Sequence, residues 1–312
     1  MKAAVVAFGG NALMDHKGKS TYVEQIMKTD KMCRKLIGLF DMGYRVVVTH
    51  GNGPQVGNFL MQQECLSASI PPMPLDVCNA MTQGQIGYMI EQRLRNLFLE
   101  KKMSYPTVAF VTQVVVSEDD PAFKNPTKPI GGFMTEEEAR KFEAQGWQVM
   151  EDSGRGWRRV VASPIPRSVI EINAIQALML SGYVTIACGG GGIPVVRQAD
   201  GSLRGVYAVI DKDRASALLA LTLRADLLMI STGVEKVAIN FNKPNQQFLD
   251  RLTLKQARQY MAEGHFGIGS MQPKIEAAID FVQNGGPKAI ITGPDYLVPA
   301  LRGETGTWVV PE

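Results

Sequence analysis

The feature that most constrains the fold of this chain is a regular alternation of short β-branched runs with segments of helical periodicity. The runs occupy residues 3–8, 45–49, 107–116, 183–188, 227–231 and 289–292. Parallel strands need long crossover connections, which are usually helices, so this alternation is typical of a parallel sheet with helices on both faces. The sequence therefore predicts an α/β fold.

Helix signals lie between these runs. Apolar residues at positions 26, 33, 37 and 40 recur at helical spacing, and Gly43 follows as a left-handed cap. Two capping-box patterns, Thr135 with Glu138 and Ser168 with Glu171, predict two further helix starts. The pattern around 26–49 thus predicts a strand-helix-strand unit that begins at the first run.

The stretch from about 118 to 166 differs in composition from the rest of the chain. It is rich in proline, glycine and charge, and it carries Trp147 and Trp157 outside any clear strand pattern. We interpret it as an excursion from the main sheet that forms a small subdomain or a lid, with Gly131 and Gly132 as its hinge.

Three glycine-rich turns each follow a predicted strand. Ligands of open parallel sheets bind beyond the carboxyl ends of the strands, and glycines let backbone N–H groups approach an anion. One such turn alone is equally compatible with a tight strand-to-helix connection, but three together favour a phosphate site. The turns are Gly9-Gly10-Asn11, Gly51-Asn52-Gly53-Pro54 and Gly189-Gly190-Gly191-Gly192.

The standard nucleotide fingerprints do not fit. Gly18-Lys19-Ser20 resembles the end of a P-loop, but Leu13 stands where the motif needs an earlier glycine. Gly189 and Gly191 match two glycines of the dinucleotide fingerprint, but Pro194 occupies the third position. Neither motif accounts for the glycine turns.

Three lysines stand in contexts that suit phosphoryl transfer, which requires charge neutralisation more than covalent chemistry. Lys212 is flanked by Asp211 and Asp213, Lys274 lies at a predicted helix start, and Lys128 belongs to the excursion. A lysine taken singly is more often a solvated surface charge.

Composition narrows the class of protein. A formal charge of +3, from 33 basic and 30 acidic residues, is too small and too mixed for a nucleic-acid-binding surface. The four cysteines form no C-x-x-C pair and indicate reduced thiols of a cytoplasmic protein rather than a zinc or redox site. Glycines and polar residues interrupt every long apolar stretch, so no membrane segment is expected.

Nearly the whole chain resembles the carbamate kinase branch of the amino acid kinase family. The resemblance rests on the segments VVAFGGNAL, VVVTHGNGPQVG, LDVCNAMTQGQIGY, FKNPTKPIG, IACGGGGIPV, AVIDKD, INFNKP, GHFGIGSMQPKIEAA and GTWV. It implies a three-layer α/β/α sandwich with a mostly parallel central sheet and a small protruding subdomain. It also implies a cytoplasmic homodimer of arginine metabolism that moves a phosphoryl group directly between carbamoyl phosphate and ADP, giving ATP and carbamate, with Mg²⁺ bound to the nucleotide.

The resemblance further implies two lobes and a set of site residues. Residues 1–205, with the subdomain, would bind carbamate or carbamoyl phosphate, and residues 206–312 would bind ATP or ADP. The implied catalytic residues are Lys212, Lys274, Asp213 and Lys128. Substrate and phosphate contacts would come from Gly9, Gly10, Asn11, Gly51, Asn52, Gly53, Gly190 and Gly191. Nucleotide contacts would come from Asp211, Phe241, Asn242, Lys243, Pro244 and Met271. No protein cage for a metal is implied.

The chain departs from the pattern of this branch at several positions. Gly132 and Met134 replace a proline and a tyrosine, Arg214 replaces a residue that is commonly aromatic or apolar, and Gly267-Ile268 replaces Ala-Pro. Two other functions therefore stay open: a kinase for another small carboxylate or carbamate-like acid, and a nucleotide-binding regulatory protein with little activity.

Overall fold

A computed structural model describes residues 2–10, 13–14, 20–65, 67–152 and 154–312. Its strands are β1 (Ala3–Phe8), β2 (Arg45–His50), β3 (Thr107–Ala109), β4 (Gln113–Val115), β5 (Lys128–Met134), β6 (Val149–Glu151), β7 (Trp157–Val161), β8 (Ser168–Val169), β9 (Val184–Ile186), β10 (Ile193–Arg197), β11 (Leu203–Gly205), β12 (Leu227–Ser231), β13 (Val237–Ile239), β14 (Gln247–Leu249), β15 (Arg251–Thr253), β16 (Ala289–Thr292) and β17 (Thr307–Val310). Its helices are α1 (Tyr22–Asp41), α2 (Gly53–Cys65), α3 (Leu75–Glu100), α4 (Glu136–Glu143), α5 (Ile172–Leu180), α6 (Lys212–Thr222), α7 (Leu254–Ala262), α8 (Gln272–Gln283) and α9 (Leu297–Leu301).

The centre of the molecule is an eight-stranded sheet with the order β15-β17-β16-β12-β1-β2-β9-β3. All of its neighbouring strands run parallel except the antiparallel pair β16 and β17. Alternate residues of β1 point to opposite faces, so Val5 joins one buried apolar cluster and Val6 joins another. Helices α5, α6 and α8 cover the first face, and α1 and α3 cover the second. The predicted three-layer α/β/α fold is confirmed.

The predicted strand over 107–116 is in fact two strands of different sheets. β3 pairs with β9 in the central sheet, whereas β4 pairs with β8 and β10 in a four-stranded sheet. The chain turns between them at Thr112, whose amide nitrogen donates to Oε1 of Gln83 at 2.7 Å. The Gln83 amide donates in return to the Thr112 carbonyl at 3.1 Å. A buried side chain of α3 therefore ends a run that its β-branched residues would otherwise extend.

The capping box predicted at Thr135 and Glu138 is present, whereas the one predicted at Ser168 and Glu171 is absent. Thr135 and Glu138 form the reciprocal cap of α4, and Gly43 has the expected left-handed φ of 76°. Ser168, by contrast, lies in β8, and α5 begins four residues later without a side-chain cap. The carboxylate of Glu171 accepts instead from the backbone and side-chain amides of Gln113, at 2.7 and 3.0 Å.

The excursion forms a subdomain made of α4 and a three-stranded antiparallel sheet with the order β5-β7-β6. Trp157 begins β7, although the sequence shows no clear strand pattern there. The residues predicted as a hinge, Gly131 and Gly132, lie inside β5, where the pairing with β7 shifts register between Ile130 and Met134. Gly131 touches α2 so closely that a Cβ on Gly57 would lie 2.1 Å from its amide nitrogen. This backbone contact joins the subdomain to the rest of the chain.

A search of the described helices for membrane-spanning segments finds none with the required length and apolar character.

Candidate active site

A cavity of about 690 Å³ opens at the carboxyl ends of the central strands, where open parallel sheets bind their ligands. The turns after β1, β2 and β9 form one wall, the subdomain forms a second, and residues from 209 onward form the third. Among the lining residues are Gly9, Gly10, Gly51, Asn52, Gly53, Lys128, Gly190, Asp211, Lys212, Asp213, Phe241, Met271 and Lys274.

The predicted glycine turns pack backbone against backbone. A Cβ on Gly51 would lie 2.8 Å from the amide nitrogen of Gly10, and the Gly51 amide donates to the Phe8 carbonyl at 2.9 Å. A Cβ on Gly190 would lie 2.2 Å from the amide nitrogen of the Asn52 side chain. Larger residues would therefore force the turns after β1, β2 and β9 apart. Asn11 lies outside the described residues.

The side chain of Asn52 is buried and fixes the second turn to α3. Its amide donates to Oδ1 of Asn79 at 3.0 Å and to the Thr82 hydroxyl at 2.8 Å. The Asn79 amide in turn donates to the carbonyl of Ala208 at 3.0 Å. The segment LDVCNAMTQGQIGY thus connects the turn after β2 with the segment that precedes Asp211.

Two lysines meet on one buried carboxylate. Nζ of Lys212 contacts Oδ1 of Asp213, and Nζ of Lys274 lies 2.9 Å from Oδ2 of the same residue. Lys212 is the first residue of α6, and Lys274 lies in the first turn of α8, so both ammonium groups stand at helix N-termini. The partial positive charge of these termini adds to that of the lysines. The arrangement favours an anion with several oxygens.

These three groups shift one another's pKa. Burial lowers the pKa of Lys212 below its ordinary value, although the neighbouring carboxylate acts in the opposite direction. Burial also opposes the charge of Lys274, but the attraction of Asp213 outweighs it and raises that pKa. Burial opposes the charge of Asp213 as well, yet the two ammonium groups lower its pKa. Asp213 is therefore ionised at neutral pH.

Lys128 reaches the same region from the subdomain. Its Nζ lies 2.5 Å from Oδ2 of Asp211, whose Oδ1 accepts from the amides of Asp213 and Arg214 at 2.9 and 3.3 Å. Asp211 is thus both the N-cap of α6 and the partner of Lys128. Burial raises the pKa of this carboxyl group, but Lys128 and the other two lysines outweigh that effect and hold it well below its ordinary value.

Only some of the residues predicted to bind the nucleotide line the cavity. Phe241, whose side chain is half exposed, and Met271 line the cavity. Asn242, Lys243 and Pro244 follow Phe241 in the loop between β13 and β14 and lie outside the lining. Gly191 is also outside it: its φ is +89°, and a Cβ there would lie 2.4 Å from the Ile210 carbonyl oxygen.

Comparison with known proteins assigns the chain to a family. A model described as the amino acid kinase family matches residues 2–293. The chain is a member of the amino acid kinase family.

Within this family, the chain is similar to carbamate kinases over its full length. It is 47% identical to the carbamate kinase of Thermococcus kodakarensis, with 100% of each chain covered. It is 48% identical to the carbamate kinase-like protein YqeA of Escherichia coli, with 98% of each covered. The structure of carbamate kinase from Giardia lamblia bound to AMP-PNP superposes with a TM-score of 0.90 and 42% identity, covering 100% of this chain and 99% of that one. The predicted resemblance is confirmed.

Sequence reasoning missed several charged residues of this amino acid kinase. Asp152, Arg155 and Arg158 of the subdomain line the cavity, as does Lys236, which lies 2.5 Å from Asp250. The available signal was the run of arginines at 155, 158 and 159, beside glycines 154 and 156. Such a run also fits a solvated surface, and only the fold directs part of it toward the cavity.

The two histidines near the motifs are placed differently. His50 is buried behind the turn after β2, and burial lowers its pKa to about 4. It is therefore neutral at physiological pH. His265 lines the cavity, with Nε2 at 3.1 Å from a carboxylate oxygen of Glu263.

The departures from the carbamate kinase pattern lie mostly away from the cavity. Gly132 and Met134 border a separate small pocket between the subdomain and α2. Arg214 pairs with Glu276 at 2.6 Å and thereby joins α6 to α8. Ile268 is exposed, whereas Gly267 lines the cavity. None of the substituted positions is one of the lysines or carboxylates of the site.

Proposed function

We propose that this amino acid kinase transfers a phosphoryl group between carbamoyl phosphate and ADP, giving ATP and carbamate. The observation that carries the proposal is the pair Lys212 and Lys274, held on opposite oxygens of Asp213 in the wall of the cavity. The full-length similarity to proteins named carbamate kinase supports this choice of substrate. The positions of Gly132, Met134 and Arg214, outside the cavity lining, support it too.

In the proposed mechanism the chain supplies charge and position. The moving phosphoryl group spreads negative charge over its oxygens, and Lys212 and Lys274 stabilise that charge directly. Asp213 keeps the two ammonium groups a fixed distance apart and limits their mutual repulsion. The acceptor oxygens of ADP and carbamate carry no proton at neutral pH, so the transfer requires no general base. His50 is buried and lies outside the cavity lining, which agrees with this.

The two substrates would enter from different sides. Carbamoyl phosphate would lie against the turns at Gly10 and Gly51, with Lys128 above it, which corresponds to a substrate lobe over residues 1–205. The nucleotide would lie against residues 206–312, where the half-exposed ring of Phe241 offers an apolar surface for a base. Met271, at the start of α8, would border the same position.

Magnesium belongs to this proposal as part of the nucleotide substrate. Across the residues that the structure describes, no three His, Cys, Asp or Glu side chains are grouped to hold a metal ion. Asp211 and Asp213 are already paired with lysines, so the cation would be bound by phosphate oxygens and water. Bound there, it would neutralise part of the phosphate charge.

We also propose a homodimer in the cytoplasm. Helices α1 and α3, on the same face of the sheet, expose large apolar side chains to solvent. On α3 these include Tyr88, with 55% of its surface exposed, and Leu99, with 81%. An apolar surface of this kind suits a symmetric contact between two copies of the chain.

A coupled assay tests the proposed reaction. Purified protein receives carbamoyl phosphate, ADP and Mg²⁺, and ATP is measured against a Lys212→Ala control. We expect ATP formation that stops when a chelator is added. ADP binding without ATP formation would indicate a regulatory protein, and turnover only with other acyl phosphates would indicate a different acid as substrate.

A further inference from the structure

The loop between β6 and β7, together with the start of β7, holds two arginines on one carboxylate. Oδ1 of Asp152 accepts from Nη2 of Arg155 at 2.7 Å, and Oδ2 accepts from Nη1 of Arg158 at 3.3 Å. Both guanidinium groups also lie 5.2 Å from the ring centroid of Phe133. One carboxylate thus serves two cations, and these three charged residues together carry one excess positive charge beside the cavity that they line.

The two arginines differ in how firmly they are held. Arg158 is mostly buried, and its Nη2 donates to the Gly131 carbonyl at 2.9 Å. Arg155 keeps 46% of its side chain exposed. Its Nε and Nη2 donate to Asp152, at 3.4 Å to the carbonyl and 2.7 Å to the carboxylate. Among the residues that the structure describes, these bonds leave the Nη1 group of Arg155 without a partner and so available to a ligand.

This arginine pair lies beside a turn that we assign to the acyl phosphate. A Cβ on Gly53 would lie 3.8 Å from Nη2 of Arg158 and 3.7 Å from the carbonyl oxygen of Pro129, next to Lys128. An anion that contacts the turn after β2 therefore comes within reach of the β6–β7 loop. Guanidinium groups match phosphate oxygens in a fork that an ammonium group does not offer.

We propose that Arg155 binds phosphoryl oxygens of the acyl phosphate, and that Asp152 and Arg158 are positioning residues that hold its guanidinium group at the cavity wall. The inference rests on the proposed function and deepens it. It assigns to the subdomain a second cation for the substrate, beside Lys128. Unlike Lys128, whose charge is balanced by Asp211, Arg155 shares its counterion with another arginine and therefore brings net positive charge to the anion.

Substitution of Arg155 tests this role by steady-state kinetics. We expect Arg155→Gln to raise the KM for carbamoyl phosphate about 10-fold or more, since a hydrogen bond to a charged group is lost. The KM for ADP should change by less than about twofold, because Arg155 is assigned to the other substrate. The KM of Arg155→Lys for carbamoyl phosphate should lie between those of the parent and Arg155→Gln. Asp152→Asn should raise the same KM with a smaller change in kcat.

Arg140→Gln is the matched control, because Arg140 belongs to the same subdomain but lies outside the cavity lining, 4.6 Å from the Trp157 ring. It should leave both KM values unchanged. Equal thermal melting of the Arg155 and Arg140 variants would show that the subdomain is folded in both. A rise in the KM for ADP alone, or equal effects of the two substitutions, would overturn the assignment.

Two further measurements test this contact, and the second does not depend on the identity of the acid. Methylguanidinium should restore part of the activity of Arg155→Ala, because the side chain that it replaces is half exposed. Calorimetry with inorganic phosphate, in the presence of ADP, should show weaker phosphate binding by Arg155→Gln than by the parent. If the parent bound phosphate but did not turn over carbamoyl phosphate, the proposed reaction would be wrong, but the phosphate contact of Arg155 would still be supported. Equal phosphate affinity of the parent and Arg155→Gln, together with an unchanged KM for carbamoyl phosphate, would show that Arg155 does not contact the phosphate.

Discussion

The Nζ atom of Lys128 lies 2.5 Å from Oδ2 of Asp211, so an ion pair joins the subdomain to the N-cap of α6. The two residues are 83 positions apart in the sequence. The bonds from the amides of Asp213 and Arg214 go to Oδ1 of Asp211, so they do not involve the oxygen that Lys128 contacts. The contribution of Lys128 can therefore be separated from that of α6.

Lys128→Ala should raise the KM for carbamoyl phosphate by about 10- to 100-fold, the equivalent of one charge-assisted hydrogen bond. ADP affinity, measured by calorimetry, should change little because the nucleotide is assigned to the opposite wall. Lys141→Ala is the control, since Lys141 pairs with Glu137 on the exposed face of α4. A loss of ADP affinity with normal carbamoyl phosphate kinetics would assign Lys128 to the nucleotide.

Lys212→Ala and Lys274→Ala should each lower kcat more than they raise either KM. Removing one donor to a transition-state charge typically costs about 2.7 to 4 kcal/mol, or roughly 10²- to 10³-fold in rate. Because both lysines share Asp213, the double variant should lose less than the product of the single losses. Stopped-flow or coupled kinetics measures all three proteins. Normal kcat in either single variant would exclude that lysine from the transfer step.

The pH dependence of kcat/KM should show an alkaline decline that begins below the ordinary pKa of lysine. Burial lowers the pKa of Lys212, so this residue loses its proton, and with it the charge that the reaction needs, at a lower pH than an exposed lysine. The raised pKa of Lys274 excludes it as the source. Lys212→Arg should move the decline to higher pH. An identical profile in that variant would assign the decline to another group.

Gly57→Ala should destabilise the protein. Alanine favours a helix by about 0.5 to 1 kcal/mol over glycine, but its Cβ would lie 2.1 Å from the backbone of Gly131, which no side-chain rotation relieves. Overpacking costs typically about 1 to 3 kcal/mol, so a net loss is expected. Thermal unfolding measures it against Gln62→Ala, an exposed change on the same helix. Equal melting temperatures would show that the subdomain is not fixed at this contact.

Light scattering should return about twice the 34.1 kDa of one chain. Leu99→Glu would place a charge on an exposed apolar position of α3 and should weaken the association if α3 forms the interface. Leu203→Glu, an exposed apolar position on β11, serves as the control. The mass of a single chain at micromolar concentration would exclude the homodimer.

The core of the fold could be predicted because a local run of residues marks each strand, although the strands pair over long distances in the sequence. Residues 3–8, 227–231 and 289–292 were predicted with the bounds that the structure has, since each is a short, fully buried run that is apolar except for Ser231 or Thr292 at its end. The segment 107–116 failed because its turn is fixed by Gln83, which is 29 residues away in the sequence. The helix start at Ser168 failed for a similar reason, because Gln113 engages Glu171.

The candidate site was predictable to the extent that motifs mark it. Lys128, Lys212 and Lys274 stand in recognisable segments, and the structure brings all three to one cavity. The contacts that distinguish them, such as the sharing of Asp213 and the pairing of Lys128 with Asp211, depend on the packing of distant elements. Arg155 and Arg158 were missed because their direction is set by the β6–β7 turn and by Asp152, which no spacing rule reveals.

The position of β1 between β2 and β12 has a consequence for synthesis on the ribosome. The first strand to emerge finds one neighbour within about 40 residues, but its other edge stays unpaired until residues 227–231 have been made. An open apolar edge of this kind is prone to wrong pairing, and contacts so distant in sequence slow folding. The cavity wall also includes Lys212 and Lys274, so a nascent chain cannot complete the site before most of the polypeptide exists. Catalytic competence should therefore appear late and all at once, and truncated products should be inactive and dependent on chaperones.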